Sequence, residues 1–145
     1  MTRLLAALAA AVTLTFTAVP ASAADRTVKL TLDGRPVDRA GGVAFLHNGV
    51  VYGDVVDLVK SFDGLLTFQG NAVVVTVNGV TGRFTEGSRT ALINDGAVTM
   101  PGQTLKRAGD FYVPLAVFVT QIAKAKLRTN PARTQADIFV NAPAS

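Results

Sequence analysis

Two stretches of this chain carry the same pattern of apolar positions. GVVYGDVVDLVKSF (49–62) and GDFYVPLAVFVTQI (109–122) align at a constant offset of 60. Gly49 falls on Gly109, Tyr52 on Tyr112, Val55 on Leu115, Leu58 on Phe118, Val59 on Val119 and Phe62 on Ile122. The last four pairs recur at i, i+3, i+4 and i+7, the spacing of one apolar face of a helix. Each copy therefore predicts a short strand ending at the Tyr, then at once a core-facing helix. Burying four such side chains stabilises by roughly 1.5–3 kcal/mol each before the entropy of ordering is subtracted. The first helix starts at Asp54, whose carboxylate in the first turn suits the positive end of the helix dipole. At the aligned site Pro114 suits the first helical position, where the missing N–H costs nothing. Asp63-Gly64 stops the first helix, with Gly64 taking the left-handed conformation at the cap.

The remainder alternates with period two, the pattern of strands. Val28, Leu30 and Leu32 alternate with Lys29 and Thr31, then Asp33-Gly34 turns the chain and Val37 starts a return. Gly41-Gly42 breaks the pattern before 43–46, and His47-Asn48-Gly49 makes a tight turn. Segments 65–68 and 72–77 form a hairpin around Gln69-Gly70-Asn71, and Val73-Val74-Val75 reads as a strand covered on both faces. Asn78-Gly79, Glu86-Gly87-Ser88, Asn94-Asp95-Gly96, Pro101-Gly102 and Asn130-Pro131 punctuate further strands at 83–85, 90–93, 98–100, around Leu105, around Leu127 and at 137–140. Leu92-Ile93-Asn94-Asp95-Gly96 matches Leu30-Thr31-Leu32-Asp33-Gly34 at an offset of 62. The expected fold is α+β, with mostly antiparallel strands and two short helices. It comprises two pseudo-symmetric strand–turn–strand–helix–hairpin repeats (about 27–79 and 88–141) in one domain spanning 24–145.

Residues 1–23 change the picture of where the protein lives. Arg3 precedes an apolar run (4–19) and the small-residue pattern Pro20-Ala21-Ser22-Ala23, a secretory leader cleaved near Ala23-Ala24. That run is short for a membrane span, which needs about 20 residues. The expectation is a secreted or periplasmic protein with no span after cleavage. The chain has no Cys, which excludes a disulfide framework, thiolate metal sites and a lipid-modified N-terminal Cys. Without the leader, thirteen Lys and Arg face ten Asp and Glu, a net charge of +3. Lys106, Arg107, Lys124, Lys126, Arg128 and Arg133 crowd one C-terminal stretch whose sole acid is Asp110. They are the candidate binding residues, and outside a cell their partners would be wall polymers or acidic glycans, not nucleic acid.

Catalytic chemistry is hard to place. A cupric site wants several imidazoles or an imidazole–thiolate set, and the chain has one His, His47, with Met100 the sole Met outside the leader. Asp54 and Asp57 share a helix face at i, i+3, where first-turn carboxylates serve the dipole and the free N–H groups. Ser61 and Ser88 lie in no nucleophile motif, and no Gly-rich loop opens a helix. Tyr52 and Tyr112 read as structural, each ring packed and hydroxyl bonded at a strand–helix junction. No catalytic residue, metal or cofactor is expected.

The order and spacing of Asp33-Gly34, Gly49, Tyr52, Glu86-Gly87-Ser88, Asn94-Asp95-Gly96, Gly109 and Tyr112-Val113-Pro114-Leu115 resemble the copper amine oxidase N-terminal domain, also called the stalk-like domain, over 27–141. The sequence departs from that pattern at Ala116, where an Arg often stands, and at Lys124, where a Gly often ends the second helix. It also lacks the frequent Trp at Thr67-Phe68 and Leu127-Arg128. In the namesake enzymes this domain is peripheral and the copper and quinone chemistry lies elsewhere. The resemblance implies an exported, non-enzymatic binding or scaffold module of the bacterial cell envelope. Its partner would be an envelope polymer or, alternatively, another exported protein for which it is an accessory subunit or inhibitor. A small exported enzyme is the remaining alternative. Oligomeric state is left open.

Overall fold

Period-two alternation dominates the computed structural model, which describes residues 25–37 and 43–140. The leader at 1–23, the Gly41-Gly42 break and position 141 lie outside the described residues. The first half runs β1 (Arg26–Leu32), β2 (Arg35–Pro36), β3 (Ala44–His47), β4 (Val50–Asp54), α1 (Val55–Ser61), β5 (Leu65–Gln69) and β6 (Ala72–Val77). Then come β7 (Val80–Thr85), β8 (Thr90–Ile93), β9 (Gly96–Thr99), β10 (Leu105–Arg107) and β11 (Asp110–Pro114). Helix α2 (Leu115–Val117) widens at once into a π turn, Phe118–Ile122, and β12 (Lys126–Thr129) and β13 (Gln135–Phe139) close the chain.

The strands form two sheets. One has the order β10-β11-β4-β3-β1-β13-β12, with β2 folded back onto β1. All its pairs are antiparallel except β1–β13. The other is an antiparallel meander, β5-β6-β7-β8-β9. The fold is α+β, mostly sheet, with two short helices. Strands β4 and β11 pair next to the β10 edge of the larger sheet, Gly53 opposite Val113, Tyr52 opposite Pro114 and Asp54 opposite Tyr112.

Both helices lie between the sheets. α1 touches β4 and β11 on one side and β5 and β6 on the other, while α2 and its π turn reach β4, β12 and β7. The apolar stripes explain this placement, because a helix buries the face that carries them. Val55, Leu58 and Val59, and then Leu115, Phe118, Val119 and Ile122, enter one core with Val73, Val75 and Phe84 of the meander and Leu30, Val113 and Ile138 of the larger sheet.

Several local expectations change. Asp54 stands one residue before α1 as its N-cap, and its Oδ1 accepts from the N–H groups of Val56 (2.9 Å) and Asp57 (3.4 Å). Pro114 is likewise the residue before α2, extended at ψ 121°, because it is still paired as a strand residue with Tyr52. The left-handed residue after α1 is Asp63 (φ 55°), not Gly64. Asp63 N–H bonds the carbonyl of Lys60 (3.2 Å) and Gly64 N–H that of Val59 (2.9 Å), the Schellman closure. Gly64 is required for space instead, since a Cβ there would lie 2.6 Å from the backbone oxygen of Thr76. Val74 is half-buried between the buried Val73 and Val75, so β6 turns one face partly to solvent.

Candidate functional site

Alternation and register put one group of side chains on the outer face of the larger sheet, away from the helices. Phe45 on β3 lies opposite Tyr52 on β4, His47 opposite Val50, and Leu105 on β10 opposite Tyr112 on β11. Phe45 stacks on Tyr52 (centroids 5.7 Å, planes 17° apart) and meets the edge of Tyr112 at 4.9 Å. The His47 ring stands edge-on to Tyr52 at 5.9 Å. The Arg107 guanidinium lies 4.7 Å over the Phe45 ring, a cation–π contact.

Arg107 also forms an ion pair with Asp25, whose Oδ1 is 2.7 Å from His47 Nδ1. Asn48 Nδ2 stands 3.2 Å from the other ring nitrogen, Nε2. Arg107 Nη2 also stands 3.1 Å from His47 Nδ1, so this ring nitrogen lies between the Asp25 carboxylate and the Arg107 guanidinium. Burial would raise the Asp25 pKa, but the hydrogen bonds and charges of His47 and Arg107 outweigh it and hold the carboxyl below its ordinary range. His47 is therefore built into a charged and aromatic cluster, where the sequence suggested a plain turn histidine.

Beside this cluster, residues 100–105 fold against Tyr52. The Tyr52 hydroxyl donates to the carbonyl of Gln103 at 2.9 Å, and a Cβ at Gly102 would lie 2.3 Å from that hydroxyl oxygen. Burial raises the Tyr52 pKa against the opposing charges of Arg89 and Arg107, so the hydroxyl stays a donor. Arg89 Nη2 donates to the carbonyls of Pro101 (3.0 Å) and Met100 (3.4 Å). Between this segment and the Asn48-Gly49 turn opens a cleft of about 370 Å³ with His47, Asn48, Tyr52, Arg89 and Gln103 among its walls. Its lining includes one guanidinium, one imidazole and two side-chain amides, and no carboxylate. Val50 and Pro101 separate it from a smaller apolar hollow of about 260 Å³ that reaches Ala116, Leu127 and Arg133.

The six basic residues expected to act together are dispersed. Lys106 and Arg107 lie on β10 at one edge of the larger sheet, Lys126 and Arg128 on β12 at the opposite edge. Their nearness in sequence is undone because β11, α2 and the crossing to β12 carry the chain over the whole sheet. Lys106 lies over Phe111 and Arg128 over Phe139. Lys124 sits exposed in the left-handed turn before β12 (φ 54°), and Arg133 donates to the carbonyl of Gly49. Of the six, Arg107 alone joins the aromatic cluster. Arg89 was missed from sequence because nothing local marks it; it reaches the cleft through the hydrogen bonds that tie Ser88 and Arg89 to 100–104. His47 and Phe45 were recoverable, since a two-residue Asn48-Gly49 turn pairs His47 with Val50 and Phe45 with Tyr52.

Tyr112 is half-buried against Phe45, so the two tyrosines differ in depth. Among the described residues no three of His, Asp and Glu come together as a metal ligand group. None of their helices is long and apolar enough to cross a membrane. No protein-family model, curated protein or solved structure matches the chain.

Proposed function

We propose that this chain is an exported, non-catalytic binding module of the bacterial cell envelope that holds an anionic wall or glycan polymer by one acidic unit in the cleft beside Tyr52. The observation that carries the reading is the lining: Arg89, His47, Asn48 and Gln103 converge on a space with no carboxylate in its walls. An Arg fork recognises a carboxylate or phosphate by paired N–H donors. Arg89 meets its two backbone carbonyls through Nη2, which positions the guanidinium before any ligand arrives. The aromatic rings of Phe45, Tyr52 and Tyr112 give the neighbouring surface an apolar, rigid floor.

The leader pattern at 1–23 supports export. The resemblance to the stalk-like domain supports a binding or scaffold role, and the pairing of β4 with β11 supports the reading of two pseudo-symmetric halves. In that pairing Gly53 faces Val113, positions related by the 60-residue offset, and the flanking pairs are reciprocal. The module would need no cofactor. Its other partner class, an exported protein, makes a different prediction below.

The test is calorimetric titration of the purified protein with an acidic wall polysaccharide at low and at moderate salt. Affinity should fall steeply with salt, and Arg89→Ala should weaken binding about tenfold or more, as loss of a charge-assisted pair does. Lys126→Ala with Arg128→Ala, at the far edge, should leave it within about twofold. Equal affinity for wild type and Arg89→Ala would remove the cleft from the mechanism. Salt-resistant capture of one discrete envelope protein would replace it with the accessory-subunit reading.

A further inference from the structure

Besides the two-residue β2, which carries Arg35 and Pro36, four strands end the two sheets among the described residues, and they are protected unequally. β10 carries Lys106 and Arg107, and β12 carries Lys126 and Arg128. Charged side chains on an edge discourage pairing with another chain. β9 is uncharged but short and small, Gly-Ala-Val-Thr. β5 differs from all three. Its sequence is Leu-Leu-Thr-Phe-Gln, it pairs with β6 alone, and no charged residue or Pro occurs from 64 to 82. Leu65 is 73% exposed and Phe68 53% exposed, the two largest exposures of large apolar side chains among the described residues.

We infer that β5 is the seam of a homodimer, in which the β5 strands of two copies of this chain pair antiparallel and join their meanders into one ten-stranded sheet. Charge selects the edge by which two copies can meet. Through β10 or β12 they would set Lys and Arg against Lys and Arg, whereas β5 meets β5 with no charge on either side and, about Thr67, with Leu66 and Phe68 self-complementary. A two-fold axis through Thr67 sets Thr67 against its counterpart and Phe68 against Leu66 of the second copy. Phe68 and Leu66 lie on the same face of β5, since they pair with Val73 and Val75, both turned into the core. Phe68 already stacks on Phe111 at 5.8 Å, so the ring is held ready and little side-chain entropy is lost on pairing. Cross-strand apolar pairs of this kind are the unit of sheet stabilisation.

Sedimentation of the purified protein over a range of concentrations tests this, with hydrogen exchange read at the β5 amides. The expected result is a monomer–dimer equilibrium in which β5 amides become protected as the dimer forms. Thr67→Lys places two ammonium groups face to face and should weaken dimerisation about fivefold or more. Thr81→Lys, exposed on an inner strand of the same sheet, is the control and should dimerise like wild type. Equal melting temperatures for the two variants at a concentration where both are monomers separate lost pairing from lost folding. A wild-type monomer at every concentration overturns the inference, as does a dimer that Thr67→Lys leaves intact. Protection of β5 by a different protein in place of self-association also overturns it. None of these outcomes bears on the cleft, so the two readings fail separately.

Discussion

Asp63 and Lys124 occupy the same conformation at the ends of the two helices, φ 55° and φ 54°, yet they stand 61 residues apart where the helix starts Asp54 and Pro114 stand 60 apart. The extra residue is absorbed by the π turn. Ala123 N–H reaches back to the carbonyl of Phe118, 2.9 Å, five residues away. Closure after the turn is widened to match, with Ala125 N–H on the carbonyl of Val119 at 2.9 Å, where α1 uses Gly64 on Val59. A single-residue excess inside a helix is commonly housed as a π turn.

The two left-handed residues differ in cost. A side chain in this region costs about 1–2 kcal/mol for an ordinary residue, less for Asp, whose short polar side chain tolerates it. Glycine removes that strain but raises the entropy of the unfolded chain by roughly 0.5–1 kcal/mol. Lys124→Gly should therefore stabilise by up to about 1 kcal/mol, and Asp63→Gly should be close to neutral. Urea denaturation of both variants checks the contrast; a destabilised Lys124→Gly would mean that the Lys124 side chain makes a contact stronger than the strain.

This helix end marks where the sequence was legible and where it was not. Leu115, Phe118, Val119 and Ile122 announce a buried face by spacing alone, and all four are buried. The π turn could not be read, because inserting one residue after Val119 leaves the i, i+3, i+4 spacing intact. Turns marked by Asn-Gly and Asp-Gly were legible, since positive φ at both central residues demands those types; Asn48-Gly49 and Asn78-Gly79 show it. Gly64 was assigned the wrong task because Asp and Gly both tolerate the left-handed region, and only packing against Thr76 separates them. The cleft was illegible for a different reason. Arg89 and His47 are 42 positions apart, and no periodicity links the β7–β8 connection of one sheet to a hairpin of the other.

Tyr52 anchors the cleft wall through its hydrogen bond to Gln103. Tyr52→Phe keeps the ring packing and should cost about 1 kcal/mol, the net worth of one such bond. Gly102→Ala drives a methyl into the hydroxyl and should cost roughly 1–3 kcal/mol as an overpacked site. In the double variant the clash is relieved, so its cost should fall below the sum of the two. Additive losses in a double-mutant cycle would show that 100–105 is held by something other than this contact.

Asp54 is buried at the N-cap of α1 and opposite Tyr112 in the β4–β11 pairing. Asp54→Asn retains an oxygen for the N–H groups of Val56 and Asp57, whereas Asp54→Ala loses it. The Ala variant should be less stable than the Asn variant by about 1 kcal/mol. Thermal melts of the pair decide this, and equal melting points would mean the cap contributes nothing.

Acid should destabilise the fold through two carboxylates. The Thr31 hydroxyl (2.6 Å) and the Gln135 amide (2.9 Å) both donate to Asp137 Oδ1. The Thr31 bond and then the Gln135 bond lower its pKa below the ordinary 3.8, against burial and with help from Arg128 and Lys29. At Asp25 burial raises the pKa, yet His47 and Arg107 bring it below 3.8 as well. A carboxyl whose pKa is depressed on folding binds protons more readily when unfolded. Its contribution is therefore fully present above 3.8 and disappears as pH falls through the folded value. Stability measured by urea midpoint should be flat near neutrality and fall as pH drops below the ordinary carboxylate value of 3.8. Asp137→Asn keeps an acceptor for Thr31 but cannot titrate, so its curve should fall less steeply there. Asp25→Asn should remove a separate part of the slope, because the two carboxylates sit at opposite ends of β1, Asp25 just before Arg26 and Asp137 paired with Thr31. Parallel acid limbs in wild type and Asp137→Asn would show that the Thr31 bond persists after protonation and contributes nothing to the pH dependence.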